Sequence, residues 1–131
     1  MPNHFHGIFF IPDNYDKTIN QVIANGKRFI AYEIIKQLKI LNQESLLDSL
    51  AKKTSIKERL RGKIHKVFIS SFDCKLIYNE KMMETKIEYI HHNPVKGKWA
   101  LVEDYTDYIH SSIVFYEKGE NLDFITHYKD V

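Results

Sequence analysis

Met1-Pro2-Asn3-His4-Phe5-His6-Gly7-Ile8-Phe9-Phe10-Ile11-Pro12 decides how this chain is read. Taken with a period of two, His4, His6, Ile8 and Phe10 share one face and Phe5, Gly7, Phe9 and Ile11 the other. That is the pattern of a central strand covered on both sides. On such a strand His4 and His6 point the same way, with Cα atoms roughly 6.6 Å apart. Two imidazoles so spaced can converge on one cation, but two ligands hold a metal weakly, so a third has to come from elsewhere. The plainer alternative is two histidines at a partly exposed strand end, since His-x-His is a short and common pattern.

Downstream, Pro12-Asp13-Asn14 is turn chemistry. Thr18 and Gln21 have capping-box spacing, and Ile19, Val22, Ile23, Ile30, Ile34, Leu38 and Leu41 mark one side of a long helix. Gly26 falls on that stripe and predicts close packing of the helix backbone against a sheet. Lys27, Arg28, Lys36 and Lys39 occupy other faces, as a solvated surface or as phosphate contacts. Leu46, Leu47 and Leu50 support a short helix, and Ile56, Leu60 and Ile64 recur at intervals of four within a basic run. Val67 to Phe72 reads as a second strand. Asn79 is a good N-cap for a helix from about Glu80 to His92, with Glu80 favoured by the helix dipole and Pro94 ending it. Gly97 allows a turn, Trp99 to Val102 reads as a short strand or extended segment, and Tyr105 to Tyr116 as an aromatic cover on the core.

That last long helix carries Tyr89-Ile90-His91-His92-Asn93-Pro94. At 100° per residue, Met83, Ile87 and Ile90 form its apolar stripe, and Tyr89 and Asn93 project side by side at the stripe's margin. A phenol there can be held by packing and still reach a ligand. The alternative is one half-buried tyrosine among eight, its hydroxyl in water.

The 131 residues suit one domain, 1–131, and 44% hydrophobic with 27% charged residues describes an ordinary soluble globular protein. The formal charge of +2 conceals an asymmetry. Lys52 to Lys66 holds seven Lys or Arg against Glu58, a local +6, and the remainder carries −4. The single cysteine, Cys74, excludes an internal disulfide, suits a reducing cytosol and is expected as a small buried hydrophobe. With neither a leader pattern nor a long apolar run, a cytoplasmic protein without membrane contact is expected.

Met-Pro-Asn-His-Phe-His-Gly at 1–7, Tyr-Ile-His-His-Asn-Pro-Val-Lys at 89–96, Leu101-Val102-Glu103-Asp104-Tyr105 and Ser111-Ser112 together resemble the single-tyrosine HUH transposases of the insertion-sequence type. The chain is most similar to their REP-associated tyrosine transposase branch. The resemblance covers essentially the whole chain with a variable middle, and order and spacing make its short motifs specific. It implies an α+β fold: a ferredoxin-like antiparallel sheet flanked by helices, with the histidines on a central strand and the nucleophile on a C-terminal helix. It also implies cleavage and rejoining of single-stranded DNA, hairpin-containing substrates included, through a 5′-phosphotyrosine link, in a bacterial, nucleoid-associated setting. Tyr89 maps to the nucleophile, His4 and His6 to the metal ligands, and Asn93 to a polar third ligand for which His92 competes. Mg²⁺ or Mn²⁺ suits this mixed nitrogen and oxygen ligation.

The chemistry agrees with those roles. A phenol with reference pKa near 10 needs a nearby charge or base to attack at pH 7, and a divalent cation stabilises the charge developing on phosphate. A basic groove with aromatic stacking surfaces holds single-stranded DNA, and Lys57, Arg59, Arg61 and Lys63 are its candidates on charge. In that family the Met-Pro-Asn-His segment is internal, so an N-terminally truncated sheet is expected, with an exposed edge that invites a homodimer. The alternative function is a catalytically inactive, truncated DNA-binding remnant.

Overall fold

A computed structural model describes all 131 residues, and it is helical. The elements are α1 (Ile19–Ile40), α2 (Glu44–Lys52), α3 (Ile56–Leu60), α4 (Glu80–His92) and α5 (Ile113–Lys118), with single 3₁₀ turns at Asn93–Val95, Tyr105–Asp107 and Tyr128–Asp130. No strand forms, so the expected ferredoxin-like antiparallel sheet is absent. The reason lies in what a strand requires. Alternating side chains describe a pleated surface, but only a hydrogen-bonded neighbour makes that surface a sheet. Met1 to Pro12 forms no strand, and at its end the Tyr15 amide donates to the Pro12 carbonyl at 3.0 Å. Around Val67 to Phe72, a side chain takes the place of a ladder. The Lys27 ammonium donates to the carbonyls of Ile69 (3.2 Å) and Ser71 (2.9 Å) and lies 5.5 Å from the Phe72 ring centroid.

The chain divides into two compact units, one of residues 11–74 and one of residues 1–10 with 75–131. The 11–74 unit begins with the predicted capping box, in which Thr18 Oγ1 accepts from the Gln21 amide and Gln21 Oε1 accepts from the Thr18 amide. α1 ends at Asn42, whose φ of 52° is the left-handed conformation that asparagine tolerates, and the Gln43 amide closes the turn on the Leu38 carbonyl. α2 packs back on α1 with Leu47 buried. Buried Thr54 then joins the chain on either side of α3, donating to the carbonyls of Leu50 (3.3 Å) or Ile64 (3.0 Å). Gly26 has nothing within 4 Å of where a Cβ would stand, so no element packs against the α1 backbone there. Cys74 is exposed rather than buried.

In the other unit the Asn79 cap, accepting from the Met82 amide at 2.8 Å, and α4 form as the sequence predicts. Beyond α4 the chain turns through buried Pro94, whose carbonyl accepts from the Leu101 amide at 2.8 Å. α5 supplies fully buried Ile113 and buried Val114. His91, also buried, ties α4 to the start of α5 through a 2.9 Å contact between its Nε2 and Ser112 Oγ. Burial pushes His91 below the ordinary imidazole value, against the pull of Glu117 and with the aid of neighbouring His92.

The accessible surface is 10378 Å². Two independent compact domains of half this mass would together expose only about 8,700 Å². The excess is apolar in part: Phe9, Phe10, Phe29, Tyr32 and Ile40 are all exposed.

Glu58 illustrates how local electrostatics holds the α3 region. The Ser55 amide, Lys63, the Ser55 hydroxyl and Lys66 together hold its carboxyl down to about 2, from an ordinary 4.5. A carboxylate so lowered stabilises the fold above pH 4.5, and that contribution disappears as pH falls toward 2. Thermal melts by circular dichroism between these limits will show a loss that Glu58→Gln flattens. An identical acid profile in the variant contradicts the assignment.

Candidate active site

Three side chains singled out by the sequence meet in the unit of residues 1–10 and 75–131. The His4 and His6 rings lie edge to face with centroids 5.1 Å apart, and His6 meets Tyr89 the same way at 5.4 Å. The first pair is local, its members two residues apart in sequence. The second joins residues far apart in sequence. It depends on α4 turning Tyr89 to the margin of the stripe formed by Met83, Ile87 and Ile90, where the phenol ring stays 54% exposed. The N-terminal segment is fastened nearby, the Met1 amino group donating to Tyr108 Oη at 3.0 Å.

The immediate partners set the chemistry of the imidazoles. His4 Nδ1 stands 2.7 Å from Asn3 Oδ1. With Nδ1 engaged by Asn3, Nε2 is the ring nitrogen left for a ligand. Desolvation lowers the pKa of His6, and the charges of His4 and of the amino terminus add to that shift. A neutral His6 is the form that ligates.

His92 and Asn93 differ in their commitments. His92 stacks on Tyr105 at 4.2 Å and its Nδ1 donates to the Glu88 carbonyl at 2.9 Å. Asn93, one helical turn beyond Tyr89, has a buried amide nitrogen with no hydrogen-bond partner. Whichever way the amide is turned, one polar atom stays unpaired there, a state that calls for a ligand or water. The ring contacts bring His4, His6 and Tyr89 together and do not include Asn93. No group of three or more His, Cys, Asp or Glu side chains lies together.

The four proposed DNA contacts lie in the other unit, and two are already engaged. Arg59 donates from Nη2 to the Ala51 carbonyl at 2.7 Å and from Nε to the Thr54 carbonyl at 3.2 Å, capping the C-terminal end of α2. Lys63 is paired with Glu58 at 3.0 Å. Lys57 and Arg61 carry no such bond. Sequence reasoning places Arg59 among the DNA contacts on charge alone; its role as a cap, reached from within α3, is legible only once the α2 terminus is known. Arg59→Ala will lower the melting temperature of the chain, whereas Arg61→Ala will leave it unchanged, as calorimetry will show. Equal melting temperatures contradict the capping role.

No protein-family model, curated protein or solved structure matches this chain.

Proposed function

We propose that this chain cleaves and rejoins single-stranded DNA through a phosphotyrosine formed on Tyr89. The observation that carries the reading is the ring series His4, His6, Tyr89, which brings two ligand-type imidazoles to a half-exposed phenol from opposite ends of the sequence. In the reaction Tyr89 Oη attacks phosphorus, the Oη–P bond forms and the P–O3′ bond breaks. The phenolic proton passes to solvent, and the leaving 3′ oxygen takes up a proton to become a hydroxyl. Attack on the phosphotyrosine by a 3′-hydroxyl reverses the exchange and rejoins a strand. His4 Nε2, His6 and Asn93 would hold a divalent cation, Mg²⁺ or Mn²⁺, which when bound polarises the phosphate and offsets its developing charge. α4 orients the phenol, and the contact with His6 restricts where its ring can swing.

A second reading, a DNA-binding chain that no longer cuts, is favoured by the state of the segment bearing the histidines. It forms no strand and belongs to no sheet, whereas a working site holds its groups within about 0.5 Å. Incubation with Mn²⁺ and a pool of labelled single-stranded hairpin oligonucleotides tests both. A denaturant-resistant protein–DNA band that chelation abolishes supports cleavage, and retained binding with no band supports the second reading.

A further inference from the structure

α1 carries an aromatic pair that its own packing does not use. Phe29 and Tyr32, one turn apart, meet edge to face at 6.4 Å and 87° while remaining 62% and 64% exposed. The Arg28 guanidinium lies 5.0 Å from the Phe29 centroid. Along Ile19–Ile40 the cations Lys27, Arg28, Lys36 and Lys39 stand against one acid, Glu33. That acid is already bound by Lys36 and Gln37, and Lys27 by the Ile69 and Ser71 carbonyls. Arg28 and Lys39 are left without an acidic partner. Exposed π-faces beside unmatched cations are what single-stranded nucleic acid requires, the rings stacking on bases and the cations meeting phosphate. The basic run of Lys52 to Lys66 offers less. It contains no Phe, Tyr or Trp, its exposed apolar residues are aliphatic, and Glu58 and backbone carbonyls occupy several of its cations.

We infer that Arg28, Phe29 and Tyr32 form a base-stacking platform for single-stranded DNA. The inference deepens the function proposed above and rests on it for the class of ligand. Positive charge complements the phosphate chain, and the exposed rings supply an attraction that the phosphate chain alone cannot use.

The test is made in the Tyr89→Phe background with chelator present, so that no covalent step intervenes. Binding of labelled oligothymidylate of about 20 nucleotides is compared with an abasic deoxyribose-phosphate chain of equal length over a range of salt. The unsubstituted platform is expected to favour the base-bearing strand by at least about fivefold. Phe29→Leu with Tyr32→Leu preserves apolarity and helix content but removes the rings, and is expected to bring the two strands within about twofold of each other without changing the salt slope. Equal binding of both strands by the parent, or a preference that survives in the leucine variant, overturns the platform. So does a Phe29- and Tyr32-dependent dimer, or attachment to phosphatidylserine vesicles, with no oligonucleotide binding. Stacking without any adduct on the Tyr89-bearing chain overturns cleavage alone, and an adduct formed equally well by the leucine variant overturns the platform alone.

Discussion

Replacing Tyr89 with phenylalanine will abolish the covalent protein–DNA band and leave DNA affinity within about twofold of the parent chain. The substitution removes a single oxygen, and that oxygen is the atom that bonds to phosphorus. Without it no neighbouring group on α4 can substitute, because His92 is stacked on Tyr105 and bonded to the Glu88 carbonyl. The ring remains, so its edge-to-face contact with His6 persists. Tyr89 is 54% exposed and its removal creates no cavity, so stability is expected to stay within about 0.5 kcal/mol. Comparing gel-resolved adduct with equilibrium binding separates the effects, and an adduct at the parent level removes Tyr89 from the role.

The paired substitution His4→Ala with His6→Ala will eliminate metal binding and adduct formation together. Loss of a group that merely orients a ligand costs about 10–100-fold in metal affinity, so loss of two ligands will exceed about a hundredfold. Both histidines are exposed, which makes collapse of the fold an inadequate explanation for such a loss. Titration with Mn²⁺, followed by its paramagnetic signal, checks the first effect, and the adduct assay checks the second. An unchanged titration defeats the ligand assignment. Asn3→Ala is informative beside it, because it frees His4 Nδ1 and weakens binding without deleting a ligand.

Helices were legible in this sequence because their signals are local. Thr18 with Gln21 announces one start, Asn79 another, and the period of Ile19 to Leu41 announces the length between them. The sheet was misread because period-two alternation at 4–11 states only which side chains share a face. Whether the backbone is paired depends on residues elsewhere, and here Lys27 meets the carbonyls that a second strand would have met at 69–71. The expected packing at Gly26 followed from that sheet and failed with it. At the site, residue type and spacing single out His4, His6 and Tyr89 and the resemblance assigns their roles, and their proximity does not depend on the sheet. Arg59 was opaque for the opposite reason. Charge gives a cation no address, and only the end of α2 reveals that its guanidinium is a cap.

The most direct test is to find the bond itself. The adduct formed with Mn²⁺ and hairpin DNA is trimmed with nuclease, digested with protease and sequenced by tandem mass spectrometry. The expected result is a nucleotide joined through its 5′-phosphate to the peptide bearing Tyr89. A nucleotide on any of the other tyrosines, or an unmodified Tyr89 peptide from a chain that still binds the DNA, contradicts it.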